Sequence, residues 1–401
     1  MVGVEVEQAI DLLLQEAAVI QTVETVSLLD ALQRVCAEDI LAPMDNPPFD
    51  RSPLDGYTFQ AADTDKILPG QVATFKIIGE VCAGQTFSGK VESGQAVNIM
   101  TGGKMPLGCD CVVRQENVTV ENGILSVSTH MSRHENYCFK GEDIKKNSCL
   151  IKKGTVLCAA HIGTLASMGY AQIKIYKKMK VALCSTGDEL VDVGGTLPEG
   201  KIYNSNLYIL SARLRELGLE PLILGIAGDD EAAVAALIEE HSKAVDLFLT
   251  TGGVSVGKKD IMHAVIQKLQ ARRLFWRVSM KPGTPILSYV HQNTLCIALS
   301  GNPFAALATF ELLVRPVLAK ISRNSNMQYK RQKAVLQDDF IKESQGRRFI
   351  RAHYQDGEVR LPAKNHSSGS LFSAVGCNAM IDIPGGTPYL KSGMSVDVII
   401  L

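Results

Sequence analysis

Residues 245–255 read Val245-Asp246-Leu247-Phe248-Leu249-Thr250-Thr251-Gly252-Gly253-Val254-Ser255, an apolar run that stops in hydroxyls and glycines. A short apolar run flanked this way reads as a buried strand, and its glycines let backbone amides come close to a ligand. The pattern recurs along the chain. The run 181–184 meets Ser185-Thr186-Gly187-Asp188-Glu189, the run 221–224 precedes Asp229-Asp230, and the run 295–299 meets Ser300-Gly301-Asn302-Pro303. Helical stripes fill the gaps. Leu207, Leu210, Leu214 and Leu217 end at Gly218, and Asp230 precedes Val234, Leu237 and Ile238. Asp260 precedes Ile261, Val265 and Leu269, while Asn302-Pro303 opens a helical run to Ala319. Strand–helix alternation over 177–324 predicts a central, doubly wound parallel α/β domain covered on both faces.

Outward from this core the rhythm changes. Residues 331–401 alternate as short strands around Gly346, Asp356-Gly357 and Pro384-Gly385-Gly386, which predicts a C-terminal β-barrel or sandwich. Residues 46–142 carry short alternating runs and predict a small inserted β domain, entered through the proline-rich stretch 43–53. Residues 1–45 and 143–176 show helical stripes, from Val6, Ile10 and Leu13 and from Ile162, Leu165 and Ala166. Together they predict an N-terminal helical or hinge domain. The chain is thus read as multidomain α/β plus β.

Composition excludes whole classes of answer. Forty-one basic and 42 acidic side chains in 401 residues leave a net charge of −1, which argues against a general nucleic-acid binder. No apolar run reaches the roughly 18 residues of a membrane span. Glu5, Glu7 and Asp11 stand where a secretory signal would be positive. Ten cysteines without regular spacing read as reduced thiols in a cytoplasmic enzyme.

In an open α/β sheet, ligands bind beyond the carboxyl ends of the strands. The candidate binding residues are therefore Thr186, Gly187, Thr251, Gly252, Gly253, Ser255, Ser300 and Asn302, a set suited to phosphate or another tetrahedral oxyanion. Asp188, Glu189, Asp229 and Asp260 do not suit an anion directly and call for Mg²⁺ as intermediary. Each acid alone also reads as a helix cap, the favoured reading for Asp230. Lys281, stiffened by Pro282-Gly283-Thr284-Pro285, reads as an anion anchor. Gly252–Lys258 approaches a phosphate-binding P-loop, but Lys259 replaces the hydroxyl that would hold the metal. Cys109-Asp110-Cys111 reads as buried structure, and His130 with His134 lacks the rest of a zinc motif.

Several of these pieces, in order, resemble the molybdopterin molybdenumtransferase (MoeA-type) family, and so are similar to the C-terminal domain of gephyrin. They are Pro47–Tyr57 with Asp55, Met100-Thr101-Gly102-Gly103, Gly141-Glu142-Asp143-Ile144, Ser185–Leu190, Tyr203-Asn204-Ser205-Asn206, Thr250–Asp260, Lys281–Pro285 and Leu299–Phe304. The resemblance implies insertion of molybdate into adenylylated molybdopterin with release of AMP and assistance by Mg²⁺. It gives Asp55, Thr101, Asp143 and Glu189 catalytic roles and gives Asp188, Asp229 and Asp260 the metal. It also implies oxyanion contacts from Lys281, Arg348 (or Arg347) and Gly369-Ser370. A homodimer is implied, with the β domain of one subunit facing the α/β domain of the other, and with contact to the molybdopterin adenylyltransferase. The sequence departs from the family twice: Cys138 and Thr284 stand where a cation is usual, with Lys140 near the first. The alternatives are a tungstate-preferring or low-activity paralogue, the adenylyltransferase itself, and a non-catalytic gephyrin-like scaffold.

Overall fold

The computed structural model describes residues 1–68, 71–255, 261–363 and 366–401. Its centre is a seven-stranded sheet in the order Val2–Val4, Arg272–Val278, Leu287–His291, Thr294–Leu299, Leu247–Thr251, Val181–Thr186, Leu222–Ala227. The last four are mutually parallel and are the four strands expected from sequence. Alternation along each sends side chains to opposite faces. Leu183, Leu249 and Ile297 enter one core with the helices Ser205–Glu216 and Arg315–Ser322. Cys184, Phe248 and Cys296 enter another with Glu231–Ser242 and Met262–Lys268.

The sheet is mixed where the sequence predicts a parallel one. Leu287–His291 runs antiparallel to both neighbours. A two-residue turn at Gln292-Asn293, with φ of 48° and 70°, folds it directly onto Thr294–Leu299. Positive φ at both central residues is the hairpin geometry that matches strand twist. Such an antiparallel margin is common on parallel sheets.

The first helix, Val6–Glu16, packs Val6, Ala9 and Leu13 into the α/β core together with Val317 and Ile321. Of the 143–176 segment with which the sequence groups it, Tyr176 and Val156 reach this same core. An amphipathic stripe shows that a face is buried, not what buries it. The strands of 143–176 join the stretch after that helix. Val23–Ser27 pairs with Gln172–Tyr176, and Ile40–Leu41 with Cys149–Ile151, around Ala31, Cys36, Leu157 and Leu165.

Between those two stretches lies a six-stranded sheet of Cys111–Arg114, Gly56–Phe59, Gln95–Ile99, Ala73–Val81, Ile124–Val127 and Val118–Glu121. At the C-terminus, Lys330–Leu336, Glu358–Arg360, Arg348–Gln355, Ala379–Ile383 and Ser395–Ile400 form a closed five-stranded barrel. Closure removes every exposed sheet edge from this unit.

Candidate active site

Four of the expected loops converge at the carboxyl ends of the parallel strands. Ser185 Oγ lies 3.0 Å from both Asn204 Oδ1 and Thr251 Oγ1, and Thr186 Oγ1 donates to the Thr251 carbonyl at 3.3 Å. Gly252, at φ 96°, lies so close to the neighbouring strand that a Cβ would stand 2.3 Å from the Thr186 carbonyl oxygen, so no side chain is accommodated. Gly301 lies against Gly252, and its carbonyl accepts from Asn206 Nδ2 at 2.8 Å. Ser300 Oγ accepts from the Asn302 amide at 3.3 Å. Gly253 sits beside Thr186 Oγ1, and Ser255 closes the described part of that loop. The result is a floor whose hydroxyls are buried and bonded to one another, and whose Gly187 and Gly252 amides pair with the Ala227 and Leu299 carbonyls.

The acids stand at one rim. Asp229 N donates to Asp188 Oδ1 at 3.0 Å and Asp188 N donates to Asp229 Oδ2 at 3.4 Å, so each carboxylate is oriented by the other residue's backbone. Two adjacent carboxylates are the oxygen donors that Mg²⁺ takes when water and phosphate complete its shell. Glu189 folds back over Gly187, its carboxylate oxygens 2.7 Å from where a Gly187 Cβ would lie. Asp260, expected with them, lies outside the described residues. Asp230 caps Glu231–Ser242, accepting from the amides of Ala232 and Ala233 at 2.8 and 3.1 Å.

The seam between α/β core and barrel holds a second feature. Lys281 pairs with the barrel strand through Lys281 N to the Arg347 carbonyl at 3.0 Å and Phe349 N to the Lys281 carbonyl at 2.8 Å. A cavity of about 700 Å³ opens there, lined by Lys281, Ser300, Asn302, Lys342, Arg348 and Arg351, with Ser367 and Ser368. No carboxylate is among its described lining residues.

Arg351, which the sequence reading missed, is 1% exposed and lies 3.6 Å over the Phe304 ring. Its guanidinium holds the following loop through the carbonyls of Ser367 and Ser370 and the Ser373 hydroxyl. Burial pushes its pKa down to about 10. The Nε atoms of Arg351 and Arg348 are both buried without a protein partner. Arg347 is committed elsewhere, to Asp382 and Glu7. Ser370 offers its carbonyl to Arg351, while Ser367 and Ser368 face the cavity. An arginine inside a strand carries no local mark of this role. Phe304 and the 366–370 loop supply it.

The remaining expected residues lie on the inserted β unit. Asp55 Oδ1 accepts from Thr101 N at 2.6 Å and Thr101 Oγ1 at 2.7 Å. Those bonds, the backbone one foremost, hold the Asp55 carboxyl below its ordinary range. Asp143 Oδ2 accepts from Asn46 Nδ2 at 3.1 Å. Cys138 exchanges both backbone hydrogen bonds with Arg51, placing an exposed cation beside the position where one is lacking. Lys140 instead meets Asp45 at 3.5 Å. Among the described residues, no hydrogen bond or ion pair joins Asp55, Thr101 or Asp143 to the α/β loops.

Three family profiles match this chain in order: "MoeA N-terminal region (domain I and II)" over 4–169, "Probable molybdopterin binding domain" over 182–320, and "MoeA C-terminal region (domain IV)" over 333–401. The molybdopterin molybdenumtransferase of Bacillus subtilis is 38% identical over 386 residues, covering 94% of this chain and 90% of its own length. The chain belongs to the molybdopterin molybdenumtransferase family. Its relative of that name in Haemophilus influenzae is 34% identical over 98% of this chain and 97% of its own length. A crystal structure of the molybdopterin biosynthesis MoeA protein from Pyrococcus horikoshii superposes with a TM-score of 0.86 at 30% identity, over 99% of each chain. The MoeA family thus accounts for the mixed α/β architecture and its closed barrel together.

Proposed function

We propose that this chain, a transferase of molybdenum cofactor biosynthesis by family, inserts molybdate into adenylylated molybdopterin and releases AMP. The observation that supports this most is the seam cavity, where Lys281, Arg348 and Arg351 face a space without carboxylates. Two guanidinium Nε–H groups buried there have no protein partner. A buried donor left unpaired costs about 1 to 3 kcal/mol, which an oxyanion's oxygens would recover. Molybdate, a tetrahedral dianion, has that chemistry. The soft sulfur ligands come from the pterin dithiolene, so no protein thiol is required.

The strand-end loops that carry Ser185, Thr186, Thr251 and Gly252 would form the crevice beneath the pterin phosphate, whose anhydride bond to AMP is broken. Asp188 and Asp229, joined by Asp260, would hold Mg²⁺, which when bound neutralises phosphate charge. Asp55, Thr101 and Asp143 are distant in chain organisation, and we read them as meeting the crevice of a second subunit in a homodimer. The four units are read as the hinge, the inserted β unit, the α/β unit with the first helix, and the barrel. The chain acts in the cytoplasm and receives its nucleotide substrate from the molybdopterin adenylyltransferase. A stand-alone adenylyltransferase reading fits less well, because Arg348 and Arg351 of the barrel complete the cavity.

Purified protein given Mg²⁺ and adenylylated molybdopterin should release AMP only when molybdate is added. AMP released equally without molybdate, or not at all, refutes the assignment. Running tungstate in parallel tests the tungstate-preferring alternative.

A further inference from the structure

The seam cavity contains one group that the oxyanion reading leaves unassigned. His366 lines it, exposed at its mouth, with its ring edge-on to Phe340 at 5.9 Å between centroids. The charged groups around it come from three segments. Lys342 comes from the stretch before the barrel strand Arg348–Gln355, Arg348 and Arg351 from that strand, and Lys281 from the α/β loop. All are cations, and no described carboxylate lines the space. A second imidazole proton is therefore unwelcome among these groups. Burial, then Arg351 and Lys342, hold the His366 pKa below its ordinary value. Each of these disfavours the charged imidazole.

A dianion in the cavity reverses this field. Its two negative charges would sit among the same groups that now repel the proton, and an opposite charge within hydrogen-bonding range favours the charged imidazole. Resting on the oxyanion assignment above, we propose that His366 is a further oxyanion-binding residue that takes up a proton as the dianion enters. The balance is simple: neutral His366, one proton from solvent and the dianion give an imidazolium–oxyanion pair, with no bond to the metal changed. The cavity then gains a charge-assisted hydrogen bond only when loaded. A filled cavity of this kind selects dianions over monoanions, since a monoanion restores less of the field.

Sodium molybdate is the probe, titrated calorimetrically into the full chain at pH 7 in two buffers of different ionisation enthalpy. The expected result is net proton uptake on binding, with Kd falling about fivefold as pH drops from 7.5 to 6.0. His366→Gln, which keeps a donor but cannot be protonated, should bind with no uptake and a flat pH profile. In the wild-type protein, the His366 ring resonance should titrate at higher pH with molybdate than without. Binding with no uptake, or with uptake unchanged in His366→Gln, overturns this inference and leaves the oxyanion assignment standing. No detectable molybdate binding by wild type overturns both.

Discussion

The seam cavity and the acidic rim of the crevice are built on opposite principles. The cavity buries cations, leaves some of their N–H groups without protein partners, and has described walls from both the α/β unit and the barrel. The rim exposes carboxylates whose geometry is set by each other's backbone amides, and its expected partners sit on another unit of the chain. Burial would make the first site selective for an anion, because a buried N–H without a partner in low dielectric has few other ways to be satisfied. On the dimer proposed above, exposure would make the second site dependent on assembly. Under the proposed function, one chain would be complete for oxyanion binding and incomplete for phosphate chemistry.

The largest effect should come from breaking that incompleteness. Asp55→Asn and Asp188→Asn should each lower AMP release by about 100-fold or more, as loss of a positioned charge in a reaction centre does. If the site forms between protomers, chains of the two variants unfolded and refolded together should recover roughly a quarter of wild-type sites. Half of the dimers would then be mixed, with one intact site each. Recovery absent from a preparation shown to contain mixed dimers would place both residues in a single-chain site. The acid limb of the pH profile should not be set by Asp55. Thr101 holds its pKa below the ordinary value, so its carboxylate is lost only as pH falls through that depressed range.

A smaller effect is expected on the cavity side. Arg351→Met keeps much of the stem volume against Phe304 but removes the charge and the grip on Ser367, Ser370 and Ser373. Molybdate affinity should fall at least about tenfold, in line with 1.5 to 3 kcal/mol for a charge-assisted contact. AMP release at saturating molybdate should fall much less. Equal losses in both would mean that the cavity and crevice are one site and would dissolve the contrast.

How much of this was legible in the sequence follows from how local each signal is. The four parallel strands and their loops are written in contiguous residues, so Thr186, Thr251 and Ser300 could be placed at strand ends by reading alone. Asp230 was legible as a cap for the same reason. The hairpin at Gln292-Asn293 was not, because neither residue is the glycine that usually marks positive φ in such a turn. The stripe of the first helix was visible, but its partner helix lies near the other end of the α/β unit, at Val317 and Ile321. Arg351 was the harder miss. In the sequence it is one of several arginines in 347–351, and what distinguishes it from Arg347 is its burial and its grip on Ser367, Ser370 and Ser373, where Arg347 meets acids instead.

The smallest expected effect addresses Thr284, where the family resemblance implies a lysine. In this structure Thr284 lines the cavity and its hydroxyl donates to the Met280 carbonyl at 2.5 Å, so the residue serves the local turn. Thr284→Lys would break that bond and add a positive charge to a wall that already carries Lys281, Lys342, Arg348 and Arg351. Because those cations already supply most of the attraction, the gain should be modest. Molybdate Kd should fall about threefold, near 0.6 kcal/mol, with a steeper dependence on salt. A gain of a hundredfold would show that the natural cavity is short of charge and that barrel cations do not replace the family lysine. An unchanged Kd with an unchanged salt slope would mean that position 284 does not face the bound oxyanion, leaving Lys281 as the α/β unit's sole cation toward it among the described residues.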